Sequence, residues 1–180
     1  GPLQVGQFES GLEMDMWLTR IWLEGNGGGQ KSESYTLAHF FAARHTSIDC
    51  YLKRGKKGYL FTIGDELTWG VPADQVNGLF GYDPERDFSA KELIAEAQRK
   101  YEVFHIIPAE AHHGQDPEVR EGWRELLGER VLILEDASAV CELIGTTIAV
   151  MEGKFDLAGA HADLRDLGTS PSAATAVVDA

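Results

Sequence analysis

The sequence predicts an α/β protein in which a mostly parallel sheet lies between layers of helices, and three observations favour that class. Three short apolar runs are rich in the β-branched and aromatic residues that prefer strands. Helical patterns separate these runs, which is typical of strands that pair in parallel. Glycine or proline residues end most of the segments. The three runs are Tyr59–Ile63, Val103–Ile107 and Val131–Leu134.

The order of these runs along the chain predicts their order in the sheet, because consecutive strands are usually neighbours. Right-handed crossovers should place helices on both faces, so we expect a three-layer, doubly wound, Rossmann-like fold. An earlier stretch, Leu3–Phe8, alternates weakly between apolar and polar residues and predicts one more short strand.

Amphipathic patterns and capping residues predict the helices. Apolar residues recur at helical spacing from Met14 to Trp22 and again from Leu37 to Cys50. The four tryptophans and the aromatic residues of these helices are expected in the core. The residues expected to begin the later helices are Ser89, Asp116, and Asp136 or Ser138.

The chain divides into one domain and a tail. Residues 1–152 contain the predicted strands and the clear helices, and their number suits a single domain. Residues 153–180 are rich in Ala, Asp, Ser and Thr, so we expect a mostly disordered tail with at most one weak helical turn.

Composition argues against two classes of partner. The 16 basic and 29 acidic residues among 180 give a formal charge of −13 at pH 7, which disfavours nucleic-acid binding. No apolar run approaches the ~20 residues that a membrane span needs. The two cysteines, Cys50 and Cys141, form no disulfide framework, which favours a reducing cytoplasm.

The acid that follows the first apolar run, Asp65, is the leading candidate for a binding residue. Parallel sheets bind ligands at the carboxyl ends of their strands, and a carboxylate held there is a natural ligand for a hard cation. The alternative is that Asp65 caps a helix that begins after it. Both uses are typical of Asp, so the sequence leaves the two roles open.

Glycines and histidines provide weaker signals. The glycine-rich stretch Gly25–Gly29 would let the backbone approach a phosphate or an ion closely, although a flexible linker is equally compatible. His105 lies inside an apolar run and is expected to be a hydrogen-bonded core residue. His112 and His113 are adjacent and lack the spacing of a metalloprotease pair.

Four segments together resemble a von Willebrand factor type A-like (VWA) domain entered part-way through. Pro2–Phe8 is similar to the antiparallel edge strand of that fold, and Gly27–Gln30 stands where such domains carry a Gly-Gly-Thr loop. Gly58–Glu66 is similar to the apolar strand that ends in Thr-Asp-Gly, and Gly122–Leu134 to the last helix and strand. The resemblance covers Pro2–Glu152.

The resemblance implies a protein-binding module with a metal-ion-dependent adhesion site, and not an enzyme. In such a site hydroxyls and acids from three loops hold a divalent cation, usually Mg²⁺, and an acidic side chain of a partner protein completes its coordination. Asp65 matches the acid of the third loop. Gln30 stands where the second loop has Thr, with Ser32 as a nearby substitute. The first loop, Asp-x-Ser-x-Ser, has no match, so the resembled fold is N-terminally incomplete.

Two other interpretations stay open, because one fold hosts many functions. Phosphotransferases of the haloacid dehalogenase type also hold Mg²⁺ with an Ile-Gly-Asp after a parallel strand. They need an upstream Asp-x-Asp nucleophile, for which this chain offers only Asp15. The other interpretation is a structural fragment without a ligand.

The missing first strand of the resembled fold would leave Tyr59–Ile63 at an unpaired edge of the sheet. Such an edge is a template for pairing with another chain. We therefore expect these residues to be marginally stable, to self-associate through this edge, or to be completed by a separate chain.

Overall fold

The computed structural model describes residues 3–23, 31–154 and 156–180. The helices are α1 (Glu13–Arg20), α2 (Tyr35–His45), α3 (Asp49–Arg54), α4 (Ala73–Phe80), α5 (Ala90–Ala97), α6 (Pro117–Leu127), α7 (Val140–Met151), α8 (Leu157–Asp166) and α9 (Pro171–Asp179). The strands are β1 (Ser32–Glu33), β2 (Gly58–Ile63), β3 (Leu67–Thr68), β4 (Tyr101–Pro108) and β5 (Val131–Leu134). None of the described helices is long and apolar enough to cross a membrane.

The main sheet has three parallel strands in the order β2–β4–β5, which confirms the predicted order and direction. Side chains alternate between the two faces of a strand, so β4 contributes to a core on each side. Val103 and Ile107 belong to one core, and Ile106 belongs to the other.

Helices cover both faces of this sheet, so the fold has three layers. On the first face, residues of α2, α5 and α6 pack around the fully buried Trp123. On the second face, α7, α8 and α9 pack against Ile106 and Leu134. A smaller apolar cluster joins α2, α4 and α5 around Phe40.

The helices that connect the main strands lie on one face. α5 precedes β4, α6 precedes β5, and both contribute to the same core. Strand order therefore follows chain order without the reversal that creates a switch point. The expectation of a parallel sheet with helices on both faces is confirmed, and the arrangement is compatible with a Rossmann-like fold.

Three helical segments begin at residues that the sequence predicted. Ser89 caps α5 in a reciprocal capping box with Glu92. Asp116 caps α6, accepting a hydrogen bond from a backbone N–H of the first turn. Asp136 caps a short 3-10 helix that leads into α7. These caps satisfy N–H groups that would otherwise lack partners at helix ends.

The C-terminal residues form two helices, so the expectation of a mostly disordered tail is wrong. Asp156 caps α8 and Ser170 caps α9. Helix α9 contacts α7, α8 and β5. Its buried residues are Ala173, Ala174, Ala176 and Val177. The composition suggested disorder, but alanine loses almost no side-chain entropy on burial and strongly favours helix, so this segment folds.

The N-terminal residues also differ from expectation. Leu3–Phe8 forms no strand and lies beside α1, where the Gln4 side chain exchanges two hydrogen bonds with the backbone of Trp22. Helix α1 buries no residue, and the Trp22 and Trp69 side chains are exposed. The prediction that all tryptophans lie in the core is therefore wrong, because periodicity identifies an apolar face without identifying what covers it.

Candidate functional site

Asp65 lies just beyond the carboxyl end of β2, where the chain leaves the main sheet. Its Oδ2 accepts a hydrogen bond from the backbone N–H of His113, with an N–O distance of 2.7 Å. The bond joins the end of β2 to the loop between β4 and α6. The next element is β3 and not a helix, so the alternative role of Asp65 as a helix cap is wrong.

A two-stranded parallel sheet beside this position holds the following residues in place. In it, β1 pairs with β3, which places Ser32 level with Leu67. Leu67 packs so closely on α6 that a Cβ at Gly122 would overlap its side chain. The Trp123 Nε1–H donates to the Glu66 carbonyl, with an N–O distance of 2.8 Å. The segment after Asp65 is thus anchored to the core by both apolar and polar contacts.

Three carboxylates crowd this end of β2, and we call Glu33, Asp65 and Glu66 the acidic edge. Burial raises the pKa of Glu66, and the charges of Glu33 and Asp65 raise it further, whereas His113 and His112 lower it. The Glu66 Oε2 is shielded from solvent and has no hydrogen-bond partner among the described residues. The folded chain therefore holds like charges together at this point.

Tyr35 places its hydroxyl against the acidic edge. A Cβ on Gly64 would overlap that hydroxyl, so glycine is required for this close approach. Burial raises the pKa of Tyr35, the backbone of Glu66 opposes the rise, and the carboxylates of Asp65 and Glu33 add to it. The phenol is therefore kept neutral and available as a hydrogen-bond donor.

An aromatic layer supports Tyr35 from below. Its ring packs edge-on against His105 and Trp123, with centroid distances of 5.3 and 5.5 Å. The His105 and Trp123 rings stack with centroids 3.5 Å apart. These contacts restrict the position of Tyr35 beneath the acidic edge.

Two fully buried histidines belong to this layer and its surroundings. The His105 Nδ1 lies 2.8 Å from the Thr62 hydroxyl, whereas its Nε2 and both ring nitrogens of His39 have no partner among the described residues. Burial lowers the pKa of His39 to about 4. Burial, and then the charge of His39, lowers the pKa of His105 to about 3. The expectation that His105 is a core residue is confirmed, but only one of its nitrogens is hydrogen-bonded.

The chemistry of the acidic edge suits a hard cation, because Mg²⁺ prefers carboxylate oxygens. No group of three or more His, Cys, Asp or Glu residues in the described ranges is arranged to hold a metal ion. Ser32 lies in β1 beside the edge, and Gln30 lies outside the described residues. The Mg²⁺ site predicted from Asp65, Gln30 and Ser32 stays a prediction, and the described residues do not complete it by themselves.

Several other charged groups near the carboxyl ends of the strands are engaged within the chain. Lys31 pairs with Asp116 at 2.8 Å and with Glu118 at 3.4 Å. Glu110 accepts a hydrogen bond from the backbone N–H of Ala137. No ion pair between described residues includes a member of the acidic edge. The acidic edge therefore carries charge that no ion pair between described residues compensates.

The sequence did not predict three residues of this site, which are Glu33, Tyr35 and Glu66. Glu66 directly follows Asp65, so a second acid after the strand was a visible signal. Glu33 and Tyr35 are about thirty residues away and reach the edge only because β1 pairs with β3. No local pattern carries that information.

Replacing Glu66 with Gln is expected to stabilise the fold slightly at pH 7. The change removes one of the three crowded charges and keeps the shape of the side chain, so we expect a gain of a few tenths of a kcal/mol, as for an exposed charge pair. Urea denaturation at pH 7 measures the difference in free energy of unfolding. Glu129→Gln, at an exposed acid before β5, is the matched control, and a clear loss of stability in Glu66→Gln alone would contradict the charge argument.

Scans against protein-family models, curated proteins and solved structures found no match to this chain. The fold and the site therefore define the class on their own: an α/β chain with parallel strands and an uncompensated acidic edge where β2 ends. The resemblance to VWA domains stays a prediction.

Proposed function

We propose that this chain is a protein-binding module that binds through the acidic edge. A divalent cation, expected to be Mg²⁺, would link Asp65 to an acidic side chain of the partner protein. Ser32 and Gln30 would add oxygen ligands from the segment that enters β1. Such a module needs no catalytic residue.

The observation that carries this proposal is that Asp65 and Glu66 are adjacent and the pairing of β1 with β3 brings Glu33 near them, while no ion pair between described residues neutralises the three acids. Like charges held close together destabilise a fold, and a carboxylate with a raised pKa, as Glu66 has here, is more frequent at functional sites. A bound cation would relieve the repulsion. The arrangement is therefore one that gains stability from the ligand we propose.

The position and the rigidity of Asp65 support the same function. Ligands of parallel sheets bind at the carboxyl ends of the strands. The bond from the His113 N–H holds Oδ2, while Oδ1 makes no hydrogen bond with another described residue. One carboxylate oxygen is thus oriented by the backbone and the other is free to contact a ligand.

The donor set also suits a site that a partner completes. Mg²⁺ takes about six oxygen ligands, and proteins often supply only one or two carboxylates among them. The described residues supply carboxylates without a closed site. Water and a carboxylate of the partner would provide the remaining ligands.

Titration with MgCl₂ in a calorimeter tests this proposal. Wild-type protein is expected to bind Mg²⁺, and Asp65→Asn is expected to weaken binding at least about tenfold, which corresponds to ~1.4 kcal/mol. Glu129→Gln should bind like the wild type, because this acid lies at the opposite end of the sheet, before β5. Identical heats for the wild type and Asp65→Asn would refute the role of Asp65.

The phosphotransferase alternative gains no support from the structure. Asp15, its only available nucleophile, lies in α1, and no hydrogen bond between described residues joins α1 to the acidic edge. A phosphate-release assay with Mg²⁺ separates the two functions. Turnover that Asp65→Ala abolishes would overturn the binding-module proposal.

A further inference from the structure

The outer edge of β2 has no partner strand among the described residues, because β2 ends the strand order and pairs only with β4. The Gly58 and Gly64 N–H groups donate toward the β4 side, each with an N–O distance of 3.0 Å. Since these directions alternate along a strand, the main-chain groups of Tyr59, Phe61 and Ile63 point away from β4. No hydrogen bond between described residues uses these groups.

We propose that the outer edge of β2 pairs with the outer edge of β2 in a second copy of this chain, in antiparallel orientation. Phe61 would lie opposite Phe61 of the partner subunit, and Tyr59 opposite the partner subunit's Ile63. Residues that exchange both main-chain bonds face each other in antiparallel pairs, so the three outward residues would form six hydrogen bonds between the subunits. The proposal does not depend on the cation site.

In this register the side chains of β2 complement those of β2 in the second copy. Phe61 contributes to the core beneath α7 and α9, and the Tyr59 hydroxyl donates to Glu152 just after α7, so both side chains lie on that face. Ile63 follows the same alternation and is 46% exposed. Aromatic–aromatic and aromatic–β-branched pairs across strands are favourable, and this register creates one Phe–Phe pair and two Tyr–Ile pairs.

The charges at the two ends of β2 select the antiparallel orientation. Lys56 and Lys57 precede the strand, and their exposed contacts with Glu152 and Glu102 are 3.5 Å long, which makes them weak pairs. The acidic edge follows the strand. In the antiparallel arrangement the lysines of each subunit approach the end of β2 at which the acidic edge of the partner subunit lies.

A parallel arrangement of the two edges would instead bring lysine beside lysine and carboxylate beside carboxylate. Like charges directly opposite each other are destabilising. A twofold axis through Phe61 produces the antiparallel arrangement and makes the contact identical on both subunits, which is the commonest symmetry of dimers. The second copy therefore satisfies the hydrogen bonds of the outer edge of β2 and pairs its side chains favourably.

Disulfide cross-linking tests the register directly. Residues in hydrogen-bonded antiparallel pairs have Cα atoms about 5.5 Å apart, within the range that a disulfide spans. Tyr59→Cys and Ile63→Cys are each prepared with Cys141→Ser, which removes an exposed cysteine. Mild oxidation of an equal mixture is expected to yield covalent dimers that contain both variants, whereas each variant alone and the Cys141→Ser chain should not cross-link. Cross-linking of either variant alone would overturn the register, and no cross-linking of the mixture would overturn the proposal.

Analytical ultracentrifugation provides a second measurement that needs no cysteine. The wild-type chain is expected to shift with concentration toward twice its mass of 19.8 kDa. Ile63→Lys should lower the association constant at least about tenfold, because a lysine on a strand edge blocks pairing. Leu79→Lys, at a comparably exposed apolar residue of α4, should associate like the wild type. A wild-type monomer at every concentration would overturn the proposal, while Mg²⁺ binding by that monomer would leave the proposed function intact.

Discussion

Lowering the pH from 7 to 5 is expected to reduce the free energy of unfolding by about 4 kcal/mol, roughly 2 kcal/mol from each of His39 and His105. Burial holds the pKa of His39 at about 4 and that of His105 at about 3 in the folded chain, compared with 6.5 for an ordinary histidine. Below pH 6.5 the unfolded chain therefore binds more protons than the folded chain. Stability is complete above this pH and falls as the pH decreases toward 4.

Urea denaturation at pH 7, 6 and 5 measures this dependence. His39→Phe and His105→Phe should each remove about half of the pH dependence. Glu66 acts in the opposite direction, because an acid with a raised pKa favours the folded chain as the pH falls. If either phenylalanine variant does not fold, the pH dependence of the wild-type free energy of unfolding still tests the prediction. Equal wild-type stability at pH 7 and pH 5 would contradict it.

Truncation of Trp123 to alanine is expected to lower the free energy of unfolding by about 3–5 kcal/mol, the range observed for large aromatic side chains in cores. Trp123 is fully buried on α6 and stacks on His105. Its Nε1–H bond to the Glu66 carbonyl also links the core to the acidic edge. The variant thus loses apolar contacts and leaves the Glu66 carbonyl without its donor.

Two further variants separate these contributions. Trp123→Phe keeps most of the apolar contact but loses the hydrogen bond, so we expect an intermediate cost of about 1–3 kcal/mol. Trp22→Ala, at a tryptophan that is 75% exposed, should change stability by less than about 0.5 kcal/mol. Chemical denaturation at pH 7 measures the free energy of unfolding of the three variants. Similar losses for Trp123→Ala and Trp22→Ala would contradict the expectation that the core around Trp123 stabilises the fold.

Such a core variant would also test how the acidic edge is held in position. The aromatic layer of Tyr35, His105 and Trp123 lies directly beneath it. If Trp123→Phe folds, its Mg²⁺ affinity is expected to fall as well, because the Glu66 carbonyl loses its hydrogen bond to α6. Binding sites depend on such supporting contacts for their geometry.

Strand order and several helix starts could be predicted from the sequence because they depend on local physics. Each apolar run of the main sheet is long enough to form a strand, and its neighbours in sequence became its neighbours in space. Ser89, Asp116 and Asp136 cap helical segments as predicted, since capping requires only a side chain and the backbone of the next turn. Asp65 was likewise found by its place directly after a strand.

Tertiary structure decided the features that depend on distant partners. Asp65 received its hydrogen bond from His113, which is 48 residues away, and Glu33 reached the acidic edge through the pairing of β1 with β3. Amphipathic periodicity predicted that α1 packs in the core, yet none of its residues is buried in the described structure. The alanine-rich α9 was expected to be disordered, yet it packs on β5 and α7. A residue pattern determines which face is apolar and where a strand ends, but burial and charge crowding depend on which segments the whole chain brings together.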